Sequence, residues 1–197
     1  MRIGPLPDED SCFTLLELAA CDDLLGFVKH AEGRSLNLDT CRPWYSRQYG
    51  SNKMGMVDRT PLMIAAHHGS LKVLDYMVKK QGVSMNKACG SDQSTALHLA
   101  VASGSENSIE IVNLLVKHGA DLSLTDAQGL TPFDVFLKTS KKKKHHHHHH
   151  HHSGMPGKDV SNGLNELLAG FSNEIRTLPG ENYSVGTSAI DSNDDPW

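Results

Sequence analysis

No run of about 18 apolar residues occurs in this 197-residue chain, so no transmembrane helix is expected. Met1 to Asp10 holds Pro5, Pro7 and three acids and lacks an apolar stretch, so it does not read as a secretory signal. Cysteine is scarce: four residues, at 12, 21, 41 and 89, without a C-x-x-C pair. In a chain without a signal these read as reduced thiols, Cys89 as a small buried apolar residue. Gaps of 8 and 19 residues between Cys12, Cys21 and Cys41 match no compact zinc module, so no metal site is expected. Aromatics make up 6% of the chain and the formal charge is −4, so no general attraction to nucleic acid or membrane follows. No set of nucleophile, base and oxyanion donor can be assembled. The chain therefore reads as non-enzymatic, with no catalytic residue and no cofactor.

What the chain has is repetition. Thr60-Pro61-Leu62-Met63-Ile64-Ala65-Ala66 recurs as Thr95-Ala96-Leu97-His98-Leu99-Ala100-Val101 and, reduced, as Thr131-Pro132-Phe133-Asp134-Val135-Phe136. The spacings of 35 and 36 residues approach the roughly 33-residue ankyrin period, whose signature is T-P-L-H-x-A. Thr14-Leu15-Leu16-Glu17-Leu18-Ala19-Ala20 is a degenerate first copy, 46 residues ahead of the second. In that register Leu25, Phe27 and Val28 fall opposite Leu71, Val73 and Leu74 as the apolar face of a second helix. About a dozen extra residues relative to the period fall in Thr40 to Met56, with Pro43, Trp44, Tyr45, Arg42, Arg47 and Lys53. Composition makes this a loop, part of which Trp44 and Tyr45 pack down.

Local chemistry agrees with the register. Thr60 and Thr95 are N-cap candidates, Pro61 suits a first helical turn, and Gly69 and Gly104 suit left-handed helix ends. Asp92-Gln93 and Asp126 with Gln128-Gly129 read as hairpin tips. The expected fold is an all-α ankyrin-repeat solenoid of about three and a half repeats over 11–139, behind a flexible 1–10. A Lys/His low-complexity linker, 140–162, holds four lysines and His145 to His152, a run of the kind seen in purification tags or in genomic repeats. Over 163–179, Leu164, Leu167, Leu168, Phe171, Ile175 and Leu178 share one helix face. That face either folds back over Phe133 and Phe136, lies in a partner's groove, or stays unpartnered. Residues 180–197 are polar and acidic and read as a disordered tail.

One stretch narrows the reading. Trp44 through Gly50-Ser51-Asn52-Lys53-Met54-Gly55, leading into Arg59-Thr60-Pro61-Leu62-Met63, then Asn86-Lys87-Ala88-Cys89-Gly90-Ser91-Asp92, resembles the N-terminal ankyrin region of plant tandem CCCH zinc-finger proteins. The resemblance covers roughly residues 13–137. It implies a stress-response and mRNA regulator located in cytoplasm and/or nucleus. The family's two CCCH fingers, which act on mRNA, have no counterpart here, since no C-x(7–8)-C-x(5)-C-x(3)-H array occurs.

The resulting expectation is a monomeric protein-interaction module that meets a protein partner on its concave surface. The contact residues would be His67, His68, Ala102 and Ser103 at inner-helix ends, with Ser91, Asp92, Gln93, Asp126 and Gln128 at hairpin tips. His98, in the T-x-L-H position, is read as structural. No membrane association is expected, and no nucleic-acid binding without the fingers. The alternative is phosphate contact through Arg42, Arg47, Lys53, Lys72 and Lys141 to Lys144.

Overall fold

The computed structural model describes residues 7–49, 51–144 and 160–177. The histidine run, most of the expected linker, residues 1–6 and the acidic tail lie outside them. Among the described residues, eight helices and one hairpin follow in order: α1 (Pro7–Ala20), α2 (Leu24–Gly33), β1 (Arg42–Arg47), β2 (Met54–Arg59), α3 (Pro61–His68), α4 (Leu71–Val78), α5 (Ala96–Ser103), α6 (Ser108–Lys117), α7 (Pro132–Lys144) and α8 (Val160–Thr177).

The helices form two rows. Odd-numbered α1, α3, α5 and α7 pack successively in an inner row, and α2, α4, α6 and α8 do so in an outer row. The central helices of the inner row are covered on nearly every side, so α3 is buried from Pro61 to Ala66 and α5 from Ala96 to Val101. The alanines among them allow this close approach. Outer helices bury one stripe each: Val73, Leu74, Met77 and Val78 on α4; Ile111, Val112 and Leu115 on α6. The two rows share one continuous core.

Inner helices α3, α5 and α7 start at threonine caps. Thr60 Oγ1 accepts from the Met63 N–H at 3.3 Å, and Thr131 Oγ1 accepts from the Asp134 N–H at 3.3 Å. Asp134 returns the contact by accepting from the Thr131 N–H at 3.0 Å, which closes a capping box. Gly69 ends α3 at φ 74°, and a side chain there would run into Ser105 as well. Asn107 donates to the Gly69 carbonyl at 2.8 Å, tying one repeat to the next.

Three readings from sequence change. The 40–56 segment is no plain loop, and the fold is therefore not purely helical: β1 and β2 pair antiparallel, Arg42 opposite Arg59 and Arg47 opposite Met54. Both strands alternate, with Trp44, Val57 and Arg59 turned toward the body and Tyr45, Met54 and Met56 outward. Pro43 and the glycines obscure that period of two in a composition count. A lone hairpin is marginal in water, and this one leans on α1, where the Phe13 and Trp44 rings lie 6.0 Å apart. Second, Cys41 and Cys89 are not free thiols but a disulfide, with Cα atoms 6.4 Å apart. The insertion folds back onto the next repeat's hairpin, a contact that no local spacing reveals. Cys12 and Cys21 remain free. Third, α7 runs on through Lys144 instead of stopping near Thr139, because lysine is a good helix former and cations suit a helix C-terminus.

The amphipathic segment packs in cis. Helix α8 lies against α6 and α7, burying Leu164 and Leu168 to 2% and 1% exposure, and so takes the place of the outer helix that the last repeat otherwise lacks.

Candidate functional site

Of the expected contact residues, His67, Ala102, Ser91, Asp92, Asp126 and Gln128 line two hollows at the inserted hairpin, and His68, Gln93 and Ser103 line neither. His67 and Ala102 line a cavity of about 270 Å³ floored by Ile64 and Leu99 and walled by Trp44 and Tyr49. Ser91, Asp92, Asp126 and Gln128 line a second hollow of about 250 Å³, again with Gln48 and Tyr49. Gln48 and Tyr49 thus stand between the two. Sequence reasoning passes over Trp44, Arg47, Gln48, Tyr49 and Asn52 as lining residues. The signal available is Trp44-Tyr45 inside an otherwise polar insertion.

Not every expected contact residue is free to make a contact. Asp92 is a structural partner: Arg59, 3% exposed, grips its carboxylate with both guanidinium arms, at 3.1 and 2.6 Å. Asp92 also accepts from the backbone and hydroxyl of Ser94, at 3.2 and 3.1 Å. Burial alone would raise its pKa; the Arg59 hydrogen bond and charge outweigh that and hold it below the usual carboxylate range. Asp126 is buried, its Oδ1 accepting from the Gln128 and Leu130 N–H groups at 2.8 and 3.0 Å. Among the described residues its Oδ2 and the buried Tyr49 hydroxyl have no partner besides one another. Burial first, then the Asp126 charge, push the Tyr49 hydroxyl far above its ordinary pKa. Ser103 is turned into its own helix end, donating to the Ala100 carbonyl at 3.0 Å. Ser91, Gln93, Gln128 and His68 are exposed, while His67 and Ala102 are partly so.

The histidines divide by role. His98 is fully buried; Nε2 donates to the Leu130 carbonyl at 2.9 Å, and Nδ1 faces the Thr95 hydroxyl at 2.8 Å and backbone N–H at 3.3 Å. The T-x-L-H histidine is therefore both an N-terminal cap and a strap to the following repeat. Burial lowers its pKa, so the ring is neutral. His67 is lowered mainly by burial, then by His68 and Arg59, with the Leu99 backbone opposing, and among the described residues its buried Nδ1 has no hydrogen-bond partner. The His68 ring stands nearly perpendicular to Trp44, centroids 6.3 Å apart, and desolvation on that side lowers its pKa.

The basic residues of the alternative reading are dispersed: Arg42 and Arg47 on β1 and Lys53 just ahead of β2, Lys72 on outer helix α4, Lys141 to Lys144 at the end of α7. No described helix is long and apolar enough to cross a membrane.

A family model for ankyrin repeats (three copies) matches residues 16–126. Zinc finger CCCH domain-containing protein 47 of Arabidopsis thaliana is 46% identical over 133 residues, 68% of this chain and 23% of that protein. Zinc finger CCCH domain-containing protein 66 of the same plant is 50% identical over 122 residues, 61% of this chain and 20% of its own length. Zinc finger CCCH domain-containing protein 24 of Oryza sativa subsp. japonica is 43% identical over 130 residues, 65% of this chain and 16% of its own. The chain thus spans less than a quarter of each of these relatives' length. With threonine-capped inner helices, a double row of helices and a family match over most of both, the chain belongs to the ankyrin-repeat family.

Proposed function

We propose that this chain is a non-enzymatic protein-interaction module, an open ankyrin solenoid of about three and a half repeats that acts as a monomer. Its setting would be that of the ankyrin part of a plant CCCH regulator, in stress response and mRNA control, in cytoplasm and/or nucleus. The supporting observation is how the polar groups are disposed. His98, Arg59, Asp92 and Asp126 are engaged in holding repeats and hairpins together, whereas Ser91, Gln93, Gln128, His67, His68 and Ala102 open onto the hollows beside Tyr49 or onto solvent. A partner would meet the second set. Asp92, Asp126 and Ser103 would shape that surface from within. Rigid presentation loses little ordering entropy on binding.

The test is a pull-down from plant extract with the full chain beside a Gln93→Lys, Gln128→Lys double variant, which leaves the Arg59–Asp92 pair intact. Protein partners retained by the parent and lost by the variant are expected. Partners released by nuclease or by added salt alone would instead favour phosphate contact through Arg42, Arg47 and Lys53.

A further inference from the structure

We infer that the Cys41–Cys89 disulfide is a redox-modified site. A protein dithiol of the thioredoxin type opens it in the folded chain, and hydrogen peroxide closes it again. Its state sets how firmly the inserted hairpin is held against the repeats, and with that the shape of the hollow a partner meets. The inference rests on the cytoplasmic or nuclear setting of the proposed function, where thiols are kept reduced and a disulfide is transient and redox-sensing.

Placement comes first. Cys41 immediately precedes β1, and Cys89 is bridged to Ser94 at the base of the tip that carries Ser91 and Asp92. The second hollow takes Gln48, Tyr49 and Val57 from the insertion, and Ser91 and Asp92 from that tip. The disulfide is thus a covalent link between two elements that wall the hollow. Access comes second. Cys41 is partly exposed while Cys89 is 3% exposed, so the Cys41 side is the one an incoming thiolate reaches. Third, the hairpin keeps other holds once the disulfide opens. Arg59 on β2 donates to Asp92 at 2.6 Å and to the Cys89 carbonyl at 3.5 Å. Lys87 donates to the Asp39 carbonyl, and the Phe13 and Trp44 rings remain together. Opening therefore loosens the insertion and leaves the chain folded. A two-stranded hairpin has little stability of its own, so it is the element that answers to the loss of one tie.

The exchange balances with the dithiol and the peroxide alone. A thiolate of the dithiol attacks the Cys41 sulfur, a mixed disulfide forms, and Cys89 leaves as a thiolate that takes up a proton. The second thiol gives up its proton and attacks the mixed disulfide. Cys41 is released as a thiol, and two electrons have passed from the dithiol, now a disulfide, to the chain. In the other direction hydrogen peroxide transfers one oxygen to the Cys41 thiol, giving a sulfenic acid and water. Cys89 attacks that sulfur, the disulfide closes, and a second water leaves.

The test incubates the folded, oxidised full chain with thioredoxin, its reductase and NADPH. NADPH should be consumed in equal amount to the chain, and alkylation with peptide mass mapping should newly label Cys41 and Cys89. Cys12 and Cys21, free in both states, serve as the labelling reference. Amide hydrogen exchange over residues 42–59 should then quicken about tenfold while α5 and α6 stay protected. An equivalent of hydrogen peroxide should restore slow exchange. A Cys41→Ser chain should exchange fast before and after peroxide, which separates the disulfide from methionine oxidation. A disulfide that yields only after unfolding in urea, or equal exchange over 42–59 in reduced and oxidised chains, would overturn the inference. The plant-extract pull-down is then repeated with both forms. Partners lost in the Gln93→Lys, Gln128→Lys chain should be retained unequally by the two. If they are retained equally, the interaction surface stands and the switch fails. If neither form retains a partner while exchange responds as expected, the redox site stands and the interaction module fails.

Discussion

At position 98 a single imidazole serves two repeats. It accepts at Thr95 and donates to the Leu130 carbonyl, 32 residues on, with no exposure to solvent. His98→Ala removes both contacts, strands the part-buried Leu130 carbonyl and leaves a cavity. The expected loss is about 2–4 kcal/mol, read as a lower urea midpoint at unchanged slope. The cap positions of α3, α5 and α7 show how one site is filled in three ways: Met63 adds only its backbone, His98 spans to the next hairpin, and Asp134 closes locally. The histidine of the T-x-L-H signature thus holds the following hairpin as well as its own helix start.

At the scale of elements, α8 and the β1–β2 hairpin are the two additions to the repeated pattern. Each is fixed by a few contacts. Leu168 is buried where α8 meets α6 and α7, so Leu168→Ala should cost about 2–4 kcal/mol of docking. Amide hydrogen exchange is the check: protection should fall over residues 160–173 while α3 and α5 stay protected. Unchanged exchange in α8 would mean that Leu168 does not anchor it. The hairpin is held at its base by Cys41–Cys89, which closes a 48-residue interval around β1, β2, α3 and α4. On chain-entropy grounds such a link restrains the unfolded chain by about 4 kcal/mol. A Cys41→Ser chain should therefore melt lower than the parent under non-reducing conditions and match it, within a few degrees, in excess reductant. Equal midpoints without reductant would show that the pair contributes nothing to stability.

Over the whole molecule, burial of histidine links folding to pH. His67 and His98, partly and fully buried, both have pKa values lowered from 6.5, in each case chiefly by desolvation. The unfolded chain takes up those protons near pH 6.5 and the native chain only at lower pH, so the unfolded state binds more protons across that window. Stability is then fully present above about pH 6.5 and lost as pH falls through the lowered native values. Asp92, lowered from 3.8, extends the loss further into acid. The urea midpoint should fall between pH 7.5 and pH 5.0. A His98→Asn chain, with one fewer buried imidazole to charge, should fall less over the same interval. An equal or larger fall in that variant would remove His98 from the account.

The sequence by itself determined the repeats. A threonine cap, an apolar face and a glycine end recur at one period. Each is a local preference that needs only its own segment to be read, so α3, α5 and their outer partners are legible from the residues alone. Local chemistry also marks His98 and the tips at Asp92 and Asp126. Tertiary structure decided which of these are left exposed. Asp92 and Asp126 have the composition of surface contacts, yet Arg59 and two backbone amides claim them, because the carboxylate of a turn is the nearest acceptor for groups the fold buries. It also decided the pairing of Cys41 with Cys89, the docking of α8 and the cavity between Trp44 and His67. All three depend on an insertion or a tail returning to residues far off in the chain, and such meetings are set by where the stacked rows leave apolar surface uncovered.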